Sequence, residues 1–175
     1  MTLSDHTVTR LTTTHTAEDT TGTNVEIITD QLQLEPFLNG AAFRTQIFTH
    51  LAGPATSEHM IDRDGIDRAN NLTNHVYPEN GVSSCVMDMA PGVKIDQHRT
   101  ESIDHIAILS GSVLMKYPEN GLEKTVEIKA GDVLVQRGTT HGWEAGPQGV
   151  RFFTVMVHAK PVVVKETGTE LTEFW

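Results

Sequence analysis

Three side chains close together in the chain, His98, Thr100 and Asp104, are of the types that move protons or hold metals. Histidine titrates near neutrality, so it can exchange a proton at physiological pH, and a nearby carboxylate can fix its tautomer. On a strand, residues two apart face the same side, so His98 and Thr100 point together, and a strand starting at Asp104 sends Ile106 and Ile108 the same way. Imidazole, hydroxyl and carboxylate beside an apolar wall are the usual make-up of a small-molecule pocket. His105 should face the opposite side from Asp104, as a surface or packing residue. His50, His59, His75 and His158 have no spacing partner and read as structural or solvated. Arg99 points away from His98, to a rim where a cation would orient an acidic ligand. Cys85, the single cysteine, lies in an apolar stretch and reads as a small buried side chain. The chain has no glycine-rich phosphate loop, Ser-His-Asp elbow or zinc-finger spacing.

Short strands must position these groups. Strand-like runs cover Ser84 to Met89, His105 to Ser110, Ser112 to Tyr117, Lys124 to Ile128, Val133 to Gln136 and Val150 to His158. Turn pairs separate them: Pro91-Gly92, Ser110-Gly111, Asn120-Gly121, Ala130-Gly131, Arg137-Gly138 and Gly146-Pro147. Such spacing, with little 3.6-residue periodicity, implies an all-β sandwich or barrel with scarce helix. Earlier strands are expected at Val25 to Thr29 and Phe43 to Leu51. Ser57 to Asn80 reads as a long polar connection of the kind that roofs a pocket. Residues 1–23 are Thr-rich, bury little, and are expected to form a mobile tail or a loosely docked edge strand.

At 175 residues the chain fits one domain. A net charge of -10, with 13 basic residues and no basic block, argues against a nucleic-acid partner. No apolar run approaches the ~18 residues of a membrane span, and residues 1–23 lack the apolar core of a signal peptide. A cytoplasmic protein with no membrane partner is therefore expected.

Two segments carry a resemblance. The first runs from Pro91-Gly92 through His98, Thr100 and Asp104 to Gly111; the second runs from Gly131-Asp132 through Gln136-Arg137-Gly138 to His141 and Trp143. They resemble the two motifs of the cupin superfamily, separated here by 19 residues. The first motif usually carries a His-x-His pair and a glutamate; Thr100 replaces the second histidine and Asp104 the glutamate. The second motif is one residue short and lacks its proline turn. The phrases HRT-x-S-x-D and VQRGT-x-HGW resemble a subgroup of small bacterial and fungal cupins, some found with secondary-metabolite pathways.

The resemblance implies a cupin-type double-stranded β-helix, a jelly-roll barrel, over residues 24–165, with tails at 1–23 and 166–175. Motif 1 spans about 91–111 and motif 2 about 131–145. It brings His141 to the pocket beside His98 and Asp104, either as a two-histidine, one-carboxylate site for Fe, Mn, Ni or Zn or as a metal-free cluster working by acid and base. His98, Asp104, His141 and Thr100 are the catalytic candidates; Ile106, Gln136 and Trp143 are the substrate-pocket candidates. The expected chemistry is proton transfer next to a carbonyl, as in an isomerase, decarboxylase, dehydratase or cyclase, with the enolate stabilised by metal or imidazolium. Two alternatives stand beside it: an Fe(II)-dependent dioxygenase and a non-catalytic ligand-binding barrel. The expected partners are a small-molecule substrate and a second copy of the chain, in a homodimer.

Overall fold

The computed structural model describes residues 6–15, 25–50, 77, 80–165 and 167–175. It holds twelve strands: β1 (Thr7–His15), β2 (Val25–Gln33), β3 (Glu35–Phe37), β4 (Ala42–His50), β5 (Val82–Met89), β6 (Lys94–His98), β7 (Ser102–Glu119), β8 (Leu122–Lys129), β9 (Val133–Arg137), β10 (His141–His158), β11 (Val162–Val163) and β12 (Glu170–Leu171). No helix occurs among the described residues, and so none long and apolar enough to cross a membrane. The main sheet runs β3-β4-β5-β10-β7-β8, with β6 also paired to β10 and β9 to β7. All pairings among the described residues are antiparallel, giving the all-β architecture that the strand spacing implies and the jelly roll that the cupin resemblance implies.

Two long strands organise the fold. The runs expected on either side of Ser110-Gly111 are one strand, β7, bent at Gly111, whose φ of 73° lies in the left-handed region. Opposite the bend, β10 slips register between Ala145 and Val150. The first half of β7 thus pairs with β9 and the second half with β8. Alternation along β7 buries Ser102, Asp104, Ile106 and Ile108 on one side, so polar and apolar members of one face share the interior. The core gathers Ile106, Ile108, Val113, Met89, Val150 and Phe152. Cys85 is fully buried, and burial pushes its thiol up to about 12, so it is an inert packing group.

Within 1–23, the edge-strand alternative is the one taken: Thr7–His15 pairs with β2 along its whole length. Arg10 is buried, donates to Asp30 Oδ2 at 3.0 Å and gives its Nη1 to the Ile47 carbonyl at 2.8 Å. A backbone ladder and one buried guanidinium hold this strand without apolar side chains. At the other end, residues 167–175 dock back on the barrel: the backbones of Arg99 and Phe174 exchange hydrogen bonds at 2.9 and 3.0 Å. The connection expected from Ser57 to Asn80 lies outside the described residues, apart from Tyr77 and Asn80, as do His59 and His75. Deleting residues 2–20 removes Arg10 and strips β2 of its partner. The expected result is a fall in melting temperature well beyond ~4 °C, roughly 1 kcal/mol for a domain of this size, read by thermal melting.

Candidate functional site

His98 closes β6, His141 opens β10, and the two are register partners across that pair. Their ring centroids stand 4.2 Å apart at 58°. Each ring places Nδ1 2.9 Å from the carbonyl two residues earlier, Asp96 for His98 and Thr139 for His141. A carbonyl only accepts, so each Nδ1 carries the hydrogen and each Nε2 keeps its lone pair. Strand geometry alone therefore sets two imidazoles in the same tautomer.

Asp104 enters from β7, where its register partners are Gln136 on β9 and Met156 on β10. Its Oδ1 lies 2.6 Å from Ser102 Oγ, which in turn lies 2.9 Å from Thr100 Oγ1. A hydroxyl has one hydrogen to give. With Asp104 ionised, Ser102 donates to the carboxylate and Thr100 donates to Ser102. With Asp104 protonated on Oδ1 the order reverses, and the Thr100 hydroxyl hydrogen is released.

His98, Thr100, Asp104, Ile106, Gln136, His141 and Trp143 all line one cavity of about 60 Å³. Every site residue named from the sequence is thus brought to one place, each nearly or fully buried. His105 is exposed and Arg99 turns away, its Nη2 donating to Thr140 Oγ1 at 2.7 Å. Sequence reading missed Ser102, Thr154 and Trp175. Ser102 was detectable, lying two residues from both Thr100 and Asp104 on one face. Thr154 shares the inward parity of Phe152 and Met156. Trp175 carries no local signal: it reaches the cavity only through the Arg99–Phe174 bridge and lies flat on His98, centroids 4.9 Å apart at 9°.

Burial dominates the electrostatics. It pushes Asp104 up to about 6, against the Ser102 hydrogen bond and the charge of His105. It holds His98 below the usual histidine value, opposed by the Asp96 carbonyl, and burial together with neighbouring His98 takes His141 down to about 4. Both imidazoles are neutral at pH 7. The resting pair therefore carries no imidazolium, since burial penalises the charged ring.

No protein-family model matches the chain. Oryzines biosynthesis cluster protein J of Aspergillus oryzae is 34% identical over 169 residues, covering 94% of this chain and 89% of that protein. A cupin-domain-containing oxidoreductase of Neurospora crassa is 27% identical over 152 residues, covering 85% of this chain and 74% of that protein. The chain belongs to the cupin superfamily. Among solved structures, a mutant of Bacillus subtilis oxalate decarboxylase aligns at 15% identity and a TM-score of 0.48, over 72% of this cupin and 28% of that chain.

Cupin barrels are associated with metals, and part of the site suits one: two imidazoles with Nδ1 held by carbonyls have the outer support that metal-bound histidines use. The donor set stops there. Among the described residues no group of three or more His, Cys, Asp or Glu side chains could hold an ion. Of the expected trio, the histidines are register partners, and the Asp104 carboxylate lines the same cavity with its Oδ1 2.6 Å from Ser102 Oγ. Two donors fall short of the three protein ligands common in catalytic centres. Thr100 lines the same cavity, so Thr100→His adds a third imidazole where this cupin departs from its superfamily pattern. The variant should retain Zn or Ni through dialysis with at least ~10-fold tighter binding than wild type, read by elemental analysis of both proteins. Equal metal content in the two would overturn the assignment of Thr100 as the missing donor.

Proposed function

We propose that this cupin is an enzyme of secondary-metabolite biosynthesis that moves a proton at the carbon beside a carbonyl of a small substrate, with Asp104 as the base. One observation carries the reading: a buried carboxylate ends a hydroxyl chain, Thr100 to Ser102 to Asp104, in a cavity shared with two neutral imidazoles. The biosynthesis-cluster name of the Aspergillus relative supports the metabolic setting.

In the proposed step, the Asp104 carboxylate takes the proton from the carbon, the C–H electron pair passes into the adjacent bond, and negative charge collects on the carbonyl oxygen. The proton arriving on Asp104 reverses the hydroxyl chain and frees the Thr100 O–H to donate to that oxygen. One residue's protonation thus prepares a donor at another, in a low-dielectric site where donors count most. The Nε2 lone pairs of His98 and His141 accept hydrogen bonds from substrate hydroxyls and orient them. Return of the proton from Asp104 to a second carbon gives an isomerase; its delivery to a leaving hydroxyl gives a dehydratase.

Reaction of carbonyl-bearing secondary metabolites in D₂O is the direct test: solvent deuterium should enter an isomerised product at the second carbon, and should appear beside the carbonyl in substrate recovered part-way through the reaction. Turnover with deuterium in neither place sinks the reading. The pH profile is a second check. Asp104 must be ionised, so kcat/KM should fall about tenfold per pH unit below about 6 and stay flat from 7 to 9, since neither imidazole titrates there. The oxidoreductase name of the Neurospora relative favours a second reading, oxidation of the same substrate; oxygen uptake matched to turnover would select it.

A further inference from the structure

Two features of the cavity go unused by the proton transfer. The first is Gln136, which is 3% exposed on β9, lines the cavity, and has neither Nε2 nor Oε1 hydrogen-bonded. A buried amide left with both ends open is costly, and native interiors seldom tolerate it without a partner such as a ligand. Gln136 is also the register partner of Asp104, so whatever the amide holds is presented to the carboxylate. Thr154 Oγ1, buried and unpaired on β10, faces the same cavity.

The second feature is Trp175. With it in place the cavity is about 60 Å³, about twice the ~30 Å³ share of one water and far below the ~300–1,000 Å³ of pockets that take organic ligands. Something must move for a substrate to enter. Among the described residues that line the cavity, Trp175 is the one exposed, at 57%. Among the described residues, its segment is held by the short β11–β12 ladder, the Arg99–Phe174 backbone pair, Arg99 Nη1 to the Thr172 carbonyl at 3.4 Å with the Arg99 guanidinium over the Phe174 ring, Tyr77 Oη to Glu173 Oε2 at 2.7 Å, and Glu173 N to Glu101 Oε1 at 3.2 Å, and only the first and second of these are backbone pairings. Segments with few buried contacts are the first to open. What Trp175 covers is the flat face of His98, in parallel stacking, so the space it vacates is a slot for a flat ring.

We infer that the pocket takes a flat, conjugated ring whose edge offers a hydrogen-bond donor and an acceptor side by side, as a lactam or an enol beside a carbonyl does. The Gln136 amide pairs with that edge, and the ring replaces Trp175 on His98. Residues 170–175 act as a strap that the ligand displaces. This names the substrate class of the proposed site and rests on that reading for the chemistry, though not for the binding.

The test is calorimetric titration with three probes, none of which needs turnover. 2-Quinolinone has both ring and edge, quinoline has the ring and an acceptor alone, and cyclohexanecarboxamide has the edge without the flat ring. The first should bind about tenfold or more tighter than the other two. Gln136→Leu should erase the preference for 2-quinolinone over quinoline, and Gln136→Glu, which keeps the shape and loses the donor, should erase it too. Trp175→Ala should tighten both flat probes several-fold by removing the competitor, and Trp175→Phe should not. Equal binding of the three probes, or an unchanged preference in both Gln136 variants, overturns the ligand class. Weaker flat-probe binding in Trp175→Ala overturns the strap and makes Trp175 a wall. If binding behaves as expected and solvent deuterium enters neither a product nor recovered substrate, the proton-transfer reading alone fails.

Discussion

Asp104→Asn should lower turnover by a factor of about 10² to 10⁴ and, at pH 8, raise the melting temperature. The loss of rate is the usual size for removing a positioned general base. The gain in stability follows from the direction of the Asp104 shift. Its folded value is raised from 3.8 to about 6, so folding favours the protonated form: the stability this gives is complete below the unfolded value and is lost as pH rises through about 6. At pH 8 the wild type bears the full cost of a buried anion, of order 3 kcal/mol for a shift of about two units, and the neutral amide does not. With ~2–4 °C per kcal/mol in a domain of this size, melting should rise by roughly 6–12 °C. At pH 4 the wild-type carboxyl is largely neutral and the difference should nearly vanish. His141 works in the opposite sense: its lowered value gives stability present above 6.5 and lost as pH falls through about 4. It is unchanged in the variant, so the difference between the two proteins isolates Asp104. A variant that loses activity and stability together at pH 8 would show that the carboxylate is structural.

The site was legible where local parity decides, and hidden where long-range pairing does. His98, Thr100, Asp104 and Ile106 lie within a short stretch where alternation alone sends them to one face, and the motif spacing added His141. Alternation does not say how far apart two side chains on one face end up. Only the pairing shows that the two histidines are β6–β10 register partners and that Ser102 engages Asp104. Trp175 illustrates the limit more sharply: no residue near it in sequence is part of the site, and its position depends on a backbone bridge to Arg99. At Ser110-Gly111 a turn signal was read as a break between strands, whereas the structure uses the glycine to bend one continuous strand.

That bend gives the largest stability effect expected in the molecule. A Cβ added at Gly111 would lie 2.0 Å from the Gly149 carbonyl oxygen, 2.9 Å from its carbonyl carbon and 3.1 Å from Val150 Cα. All three are backbone atoms of the neighbouring strand, so no rotamer change relieves the clash. A φ of 73° adds its own penalty for any L side chain. Left-handed backbone costs roughly 1–2 kcal/mol and overpacking typically a further ~1–3, so Gly111→Ala should lose ~2–5 kcal/mol, about 4–20 °C of melting temperature if it folds at all. Gly131 provides the control. It opens the second motif with a φ of 96°, yet an added Cβ there meets nothing within 4 Å. Gly131→Ala should therefore cost only the backbone term, ~1–2 kcal/mol. The two motif glycines look alike in sequence and differ in the structure, one serving a turn and the other a close passage between β7 and β10. Melting curves for both variants separate the roles, and equal losses would mean that the approach of Gly149 to Gly111 does not set the bend.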